Sequence, residues 1–188
     1  CTDENVIGAD FYVMERMEGI IPRANLPKGI DLDVEQTRAL CTNVIDALVD
    51  LHQVDYKKHP DLVNLGRGEG YCERQVAGWD KRYIKAKTPN VPSFGLVRQW
   101  LSKHTPADSK TCLIHNDWRF DNVILDAADP TKVIGVLDWE MATLGDPLMD
   151  LGSALAYWVE EDDNIIMQQS RRQPTHLEGM MTRDEVVD

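Results

Sequence analysis

Two short apolar runs joined by a polar turn constrain the fold of this chain more than any other feature. The runs cover residues 123–125 and 133–137, and residues 126–131 form the turn between them. Apolar, β-branched segments bounded by turn residues are typical of short buried strands. We therefore predict a β-hairpin, which would bring Asn122, before the first strand, and Asp138, after the second, to the same end.

The residues around this hairpin have the types and spacing that phosphoryl transfer requires. His115, Asp117 and Asn122 form an H-x-D-x4-N pattern, and Asp138 follows the second apolar run. A carboxylate must orient the attacking hydroxyl and accept its proton, and we assign this catalytic role to Asp117. Magnesium prefers oxygen ligands, so Asn122 and Asp138 are the predicted metal ligands. A single Asp after a strand is more often a turn former, but the joint spacing favours the catalytic interpretation.

This segment resembles the catalytic region of the aminoglycoside phosphotransferase family, a branch of the protein-kinase-like superfamily. Residues 114–122 are similar to its catalytic loop, LDWE at 137–140 to its metal-binding segment, and GDPLMDL at 145–151 to the element that follows. The resemblance implies an α+β, protein-kinase-like fold with a mainly helical large lobe and a catalytic β-hairpin. We predict that His115 braces the loop, and the resemblance implies that Asp150 hydrogen-bonds the loop backbone from a helix start.

The beginning of the chain is similar to the end of a kinase small lobe. Residues 11–19 contain aromatic and β-branched residues that run into a polar turn, which predicts a β-strand. By the resemblance, this is the last small-lobe strand and the hinge. The backbone carbonyl of Glu15 and the backbone N–H of Met17 would bind adenine, and Met14 would line the pocket. The alternative is an ordinary edge strand and turn. The predicted domains are residues 1–19, the end of the small lobe and hinge, and residues 20–188, the large lobe.

Both ends of the chain suggest a fragment. A glycine-rich phosphate loop and the strand lysine of a kinase small lobe cannot be placed in this sequence. The chain begins at Cys1, and it ends six residues into a helix that Thr182 and Glu185 would open as a capping box. We expect a large lobe truncated at both ends, with weak or no activity in isolation, and the predicted function is that of the parent domain.

Two positions near the catalytic loop depart from protein kinases. Arg119 lies where protein kinases carry a lysine that touches the transferred phosphate, which implies a charge-stabilising role. The alternative for Arg119 is a salt bridge to Asp121 or another surface acid. Trp139 and Glu140 replace the Phe-Gly that follows the metal-binding aspartate in protein kinases. This replacement, and the short segment before Asp150, favour a small-molecule kinase over a protein kinase.

Helical spacing of apolar residues predicts a mainly helical remainder. Asp33 and Gln36 begin a helix whose apolar positions recur up to residue 51. Further helices are predicted at 72–85, 94–104 and 150–160. By the resemblance, the last would place Tyr157 and Trp158 near the cleft, where they and residues 139 and 140 are candidate substrate contacts. The alternative for the two aromatic residues is the core.

Three other segments narrow the resemblance. Residues 71–79, 100–101 and 179–185 are similar to kinase domains fused to acyl-CoA dehydrogenases. The implied reaction moves the γ-phosphoryl group of ATP, with Mg²⁺, to a hydroxyl of a small molecule. A hydroxyacyl compound or hydroxyacyl-CoA is favoured over an aminoglycoside as acceptor. The implied partner is an acyl-CoA dehydrogenase, by fusion or functional link. A catalytically silent kinase-like binding module remains the alternative.

Composition excludes several classes of protein. The net charge of -12 argues against nucleic-acid binding, which requires clustered Lys and Arg. Acidic runs such as residues 160–163 are typical of solvated surfaces. The apolar runs are too short to span a bilayer, and no signal peptide is recognisable. The four cysteines are far apart, which predicts reduced thiols and a cytoplasmic location.

Overall fold

The computed structural model describes residues 3–9, 11 and 13–188 as helices, short strands and connecting loops. The helices are α1 (Glu4–Ile7), α2 (Val34–Gln53), α3 (Pro60–Val63), α4 (Tyr71–Ala86), α5 (Gly95–Lys103), α6 (Pro147–Leu155), α7 (Ile165–Ser170) and α8 (Arg183–Val187). The strands are β1 (Cys112–Ile114), β2 (Val123–Leu125), β3 (Val133–Val136) and β4 (Thr143–Gly145). Of the helices in this described part, none combines the length and the apolar composition that crossing a bilayer requires.

The long helix α2 forms as its sequence predicts and carries much of the core. Asp33 caps it, because its Oδ1 accepts a hydrogen bond from Gln36 N at 2.8 Å while the Gln36 side chain accepts one from Asp33 N at 3.0 Å. One face is buried, and it comprises Thr37, Leu40, Cys41, Val44, Leu48 and Leu51. This face packs against residues of the catalytic loop and β2 in a single hydrophobic cluster.

Replacing Leu40 by Ala should lower the free energy of unfolding by about 2–5 kcal/mol, because Leu40 is 0% exposed and its removal leaves a cavity. Urea unfolding followed by circular dichroism measures this change. Val49→Ala on the same helix is the control, since Val49 is 43% exposed and should change stability by no more than about 0.5 kcal/mol. Equal effects of the two substitutions would contradict the burial of this face.

The predicted β-hairpin is present. β2 and β3 pair antiparallel, with Val123 opposite Val136 and Ile124 opposite Gly135, and the register shifts between Ile124 and Leu125. The incoming chain docks on the same strand through an isolated bridge between Ile20 and Leu125. The hairpin therefore holds the chain around Ile20 in place, and it also positions the two predicted metal ligands at its end.

A second strand pair positions the catalytic loop. β1 and β4 pair antiparallel, with Leu113 opposite Leu144, and the catalytic loop leaves β1 after Ile114. β4 leads directly into α6, which begins at Pro147 and ends at Leu155. Both ends of this helix therefore lie earlier in the chain than the predicted bounds of 150–160. The reason is local, because Asp146 caps the helix by accepting from Leu148 N at 2.8 Å, and Pro147 suits the first helical position.

The prediction of a β-strand over residues 11–19 is wrong for the part of that segment that the structure describes. Residues 11 and 13–18 have no regular secondary structure, and position 12 lies outside the described residues. A strand is stabilised by a hydrogen-bonded neighbour, and a bridge of this kind is made by Ile20, just after this segment, with Leu125. The assignment of residues 1–19 to a small lobe and hinge stays a prediction.

The end of the described chain forms the predicted helix start. Thr182 N donates to Glu185 Oε2 at 2.8 Å, and Glu185 N donates to Thr182 Oγ1 at 3.2 Å, which completes the capping box of α8. Glu185 also pairs with Arg38 on α2 at 2.8 Å. The Arg38 contact is the first cause of a Glu185 pKa lowered to about 2. These contacts attach α8 to the first half of α2.

Candidate active site

Asp117, Arg119 and Asn122 meet in the loop that follows β1. The Asp117 Oδ2 accepts a hydrogen bond from Asn122 Nδ2 at 3.0 Å and lies 3.2 Å from Arg119 Nη2. Asn122 Nδ2 also donates to the backbone carbonyl of Asp117 at 2.8 Å. The predicted base is therefore held by an amide on one side and a cation on the other, while its side chain remains 20% exposed.

Arg119 makes contacts that suit both of its predicted roles. Its Nε donates to Asp121 Oδ1 at 3.0 Å, so the salt bridge considered as the alternative is present. Its guanidinium also lies 5.2 Å from the ring centroid of Tyr157. Because one cation contacts the predicted base, a second carboxylate and an aromatic ring, its charge is held beside Asp117. A role toward phosphate stays a prediction.

The two predicted metal ligands lie at the same end of the hairpin. The backbone N–H of Leu137 donates to the Asn122 carbonyl at 2.8 Å, which places Asp138 one residue from this contact. Asp138 is exposed and has a positive φ of 64°, a conformation that Asp tolerates better than most residues. Its side chain makes no capping hydrogen bond to the 3-10 turn Trp139–Met141. An exposed carboxylate one residue from the Leu137–Asn122 contact, and an amide that can offer its oxygen, fit the donor set that magnesium prefers.

His115 connects the catalytic loop to the strand that precedes Asp138. Its ring is fully buried, with Nε2 2.8 Å from the Leu137 carbonyl and Nδ1 3.3 Å from the backbone nitrogen of Asp117. A carbonyl accepts and an N–H donates, so these contacts require a neutral ring with the proton on Nε2. The ring also packs against Trp118 and Trp139. This geometry fits the predicted bracing role.

Asp150 fixes the beginning of the catalytic loop from α6. This carboxylate is 0% exposed and accepts hydrogen bonds from the backbone nitrogens of His115 at 2.8 Å and Asn116 at 2.7 Å. His52, at the end of α2, donates from Nε2 to Asp150 Oδ2 at 3.0 Å. The predicted loop contact is therefore in place, and His52 is an additional partner that sequence reasoning missed. Its position on the buried side of an amphipathic helix was the only available signal.

The candidate substrate residues divide into two groups. Trp139 and Tyr157 contact His115 and Arg119 of the catalytic loop and are 44% and 43% exposed, and Glu140 is also exposed. Trp158 is 2% exposed, packs edge-on against Phe120 and donates from Nε1 to the Met181 carbonyl at 2.9 Å. A substrate contact by Trp158 is therefore wrong, because the turn after α6 directs this ring into the core.

One of the three candidate hinge residues, Met17, lies beside the hairpin. Met14, Glu15 and Met17 are all exposed, and Met17 is 43% exposed. The Met17 sulfur approaches Gly135 so closely that a Cβ on that glycine would lie 2.7 Å from it. The Met17 side chain thus covers the hairpin that ends in Asn122 and Asp138. Adenine binding by these three residues stays a prediction.

A separate cluster of Cys72, Asp108 and Asp146 has ligand atoms close enough to hold a metal ion, but its carboxylates already have donors. Asp108 accepts from the backbone nitrogens of Tyr71 and Cys72 at 2.8 and 2.9 Å and so caps α4. Burial acts to raise the pKa of Asp146, yet hydrogen bonds from Ser109 and from the α6 backbone lower it overall. The cluster is therefore explained by helix capping.

A cavity in the described part of the chain lies away from the catalytic loop. It has a volume of about 1100 Å³ and is lined by α4, α5 and residues 105–111. Its walls carry both signs of charge, including Glu73, Asp80, Lys81 and Arg98. None of the predicted catalytic or metal residues lines it, so the cavity does not identify the site.

Comparison with known proteins places this geometry in a family. Residues 1–181 match the phosphotransferase enzyme family. The chain is 38% identical over 161 residues to acyl-CoA dehydrogenase family member 11 of Mus musculus, covering 84% of this chain and 20% of that protein. It is 38% identical over 168 residues to family member 10 of the same organism, covering 88% of this chain and 15% of that protein. The chain thus spans about a fifth or less of these relatives.

Solved structures agree with this placement. A protein of Ralstonia eutropha, provisionally assigned as an aminoglycoside phosphotransferase, superposes with a TM-score of 0.74 at 31% identity, covering 88% of this chain and 50% of that one. A type I macrolide 2′-phosphotransferase superposes with a TM-score of 0.57 at 20% identity, covering 82% and 51%, and shows likeness of fold alone. The predicted α+β, protein-kinase-like fold is confirmed. By its sequence match over 181 residues and by its fold, the chain belongs to the phosphotransferase enzyme family.

Proposed function

We propose that the protein transfers the γ-phosphoryl group of ATP, with Mg²⁺, to a hydroxyl group of a small molecule. The observation that carries this proposal is the contact between Asp117 and Asn122, with Asp117 Oδ2 3.0 Å from Asn122 Nδ2, at the end of the hairpin where Leu137, the residue before Asp138, donates to the Asn122 carbonyl. A proton acceptor and two oxygen ligands are what phosphoryl transfer demands of a protein. Family membership supports the same reaction class.

Each residue of the loop has a defined task in this proposal. Asp117 orients the acceptor hydroxyl and takes its proton, and its exposed edge gives the hydroxyl access. Asn122 and Asp138 would hold the metal, which when bound would neutralise charge on the phosphate oxygens. Arg119, held 3.2 Å from Asp117, would offset the charge of the transferred group. His115 and Asp150 keep the loop backbone in register with the hairpin.

The acceptor is proposed from the relatives. The matched relatives are named as acyl-CoA dehydrogenase family members, so we propose a hydroxyacyl compound or hydroxyacyl-CoA. An acyl-CoA dehydrogenase unit in the same protein, or one that acts alongside it, would be the partner. The segment from Asp138 to α6 supports a small acceptor, because it contains only a 3-10 turn and β4, and β4 is paired with β1. The proposed location is cytoplasmic.

Replacing Asp138 by Ala should weaken Mg²⁺-dependent ATP binding by at least about 10-fold, since even substitutions of residues that only support a metal ligand have effects of that size. Titration calorimetry of the full natural protein, with and without Mg²⁺, measures the effect. Asp129→Ala is the matched control, because Asp129 is a carboxylate at the turn end of the same hairpin, 39% exposed. Equal binding by Asp138→Ala and the unmodified protein would exclude Asp138 from the metal site.

An activity assay of the same full natural protein tests the reaction class. A panel of a hydroxyacyl-CoA, the free hydroxy acid and an aminoglycoside, assayed for ADP release, identifies the acceptor. Phosphorylation of the first or second compound supports the acyl acceptor, and phosphorylation of the aminoglycoside alone overturns it. Absence of ATP binding at millimolar nucleotide would overturn the proposed activity and favour the kinase-like binding module.

A further inference from the structure

A short segment after α7, residues 171–175, contacts the catalytic loop on its buried side. It is attached at both ends. Arg171 donates from Nε to the Ala24 carbonyl at 3.1 Å and from Nη2 to Asn25 Oδ1 at 2.9 Å. Thr175 Oγ1 accepts from Val159 N at 3.0 Å and donates to the Val159 carbonyl at 2.9 Å. A segment without regular structure is thus held in a fixed position.

Gln173, in the middle of this segment, reaches the catalytic loop. Its side chain is 1% exposed, and its Oε1 accepts a hydrogen bond from the backbone nitrogen of Phe120 at 3.0 Å. Phe120 begins the 3-10 turn Phe120–Asn122, whose own cap residue, Arg119, provides no side-chain hydrogen bond. The first N–H groups of a helical turn have no partner within the turn, so Gln173 supplies the missing acceptor.

A second observation concerns the nitrogen of the Gln173 amide. Gln173 Nε2 is buried and has no hydrogen-bond partner among the described residues. A buried amide with an unsatisfied donor is less stable than an apolar side chain of the same size would be. The stabilising contribution of Gln173 therefore comes from the hydrogen bond that its oxygen accepts, and not from the packing of its side chain.

We infer that Gln173 is a positioning residue for phosphoryl transfer, which fixes the turn between Asp117 and Asn122. This inference rests on the proposed function. The turn ends at Asn122, whose amide contacts Asp117, so its conformation sets the distance between the base and the predicted metal ligand. Asp150 holds the beginning of the loop and Gln173 holds its end. Through Arg171, the same segment also contacts the chain that follows the candidate hinge.

The first test does not require activity. In Gln173→Leu, the Phe120 amide should lose its protection from hydrogen–deuterium exchange, and its exchange rate should rise by about 10-fold or more as its partner is removed. Gln173→Glu keeps an acceptor oxygen at this position and should retain protection. If Gln173→Leu yields no folded protein, Gln173→Asn carries the same expectation, since its side chain is one carbon too short. Unchanged exchange at Phe120 in the Leu or Asn variant would overturn the inference.

The second test separates positioning from stability. In the full natural protein, Gln173→Leu should lower kcat by about 10–100-fold, the effect of a displaced reacting group, with the KM for ATP changed by less than about threefold. Asn43→Leu is the control, because it breaks a hydrogen bond of the same kind, from Asn43 Nδ2 to the Thr131 carbonyl at 2.7 Å, at the turn end of the hairpin. It should lower the thermal midpoint while kcat stays within about twofold. An equal loss of kcat in both variants would overturn the inference. If the unmodified protein transfers no phosphate, the proposed function fails, and exchange at Phe120 still decides whether Gln173 holds the loop.

Discussion

Replacing Asp117 by Asn should lower kcat for phosphoryl transfer by about 10²–10⁴-fold, the usual contribution of a general base. The amide has nearly the same shape but cannot accept the hydroxyl proton, and it loses the charge that attracts Arg119 3.2 Å away. ATP binding should stay near that of the unmodified protein, because Asp117 is not a predicted metal ligand. Steady-state kinetics and calorimetry on the same preparation separate the two quantities.

Asp121→Asn is the matched control for this experiment. Asp121 lies in the same loop, is 21% exposed where Asp117 is 20% exposed, and also pairs with Arg119. It has no hydrogen bond to Asn122 among the described contacts. We expect its kcat to remain within about fivefold of the unmodified protein, as for a surface ion pair of small net effect. Equal losses in both variants would indicate that Arg119 placement, and not proton transfer, sets the rate.

Sequence reasoning succeeded where local pattern and physical cause coincide. The hairpin was predictable because two apolar runs flank a polar turn, and its pairing brings residues 122 and 138 to one end. The capping boxes at Asp33 and Thr182 were predictable because each depends on two residues three apart. Local rules of this kind need no knowledge of the rest of the chain.

The contacts that sequence reasoning missed join residues far apart in the chain. His52 and Asp150 are separated by 98 positions, and Phe120 and Gln173 by 53. No spacing rule indicates that such pairs meet, because the pairing follows from how α2, α6 and the loops pack. Trp158 shows the same limit, since the family resemblance implied a position near the cleft, while α6 ends at Leu155 and Trp158, in the following turn, is buried.

Replacing Asp150 by Asn should lower the free energy of unfolding by about 3–5 kcal/mol, the effect of breaking a buried charged contact. The carboxylate is 0% exposed and accepts from two backbone nitrogens and His52. An amide offers one acceptor oxygen, and its NH₂ group would face a donor. At least one buried N–H would then lack a partner, which destabilises the folded state. Urea unfolding in the presence and absence of ATP measures the change.

Asp50→Asn, on α2, is the control, because Asp50 is exposed and its substitution should change stability by no more than about 0.5 kcal/mol. At urea concentrations below its unfolding midpoint, the Asp150→Asn variant should still lose activity, because the hydrogen bonds that fix the backbone nitrogens of His115 and Asn116 would be disrupted. An unchanged unfolding midpoint would show that the loop does not depend on this carboxylate. A stable variant with full activity would indicate that the contact between His115 and Leu137 of the hairpin, and not Asp150, orders the loop.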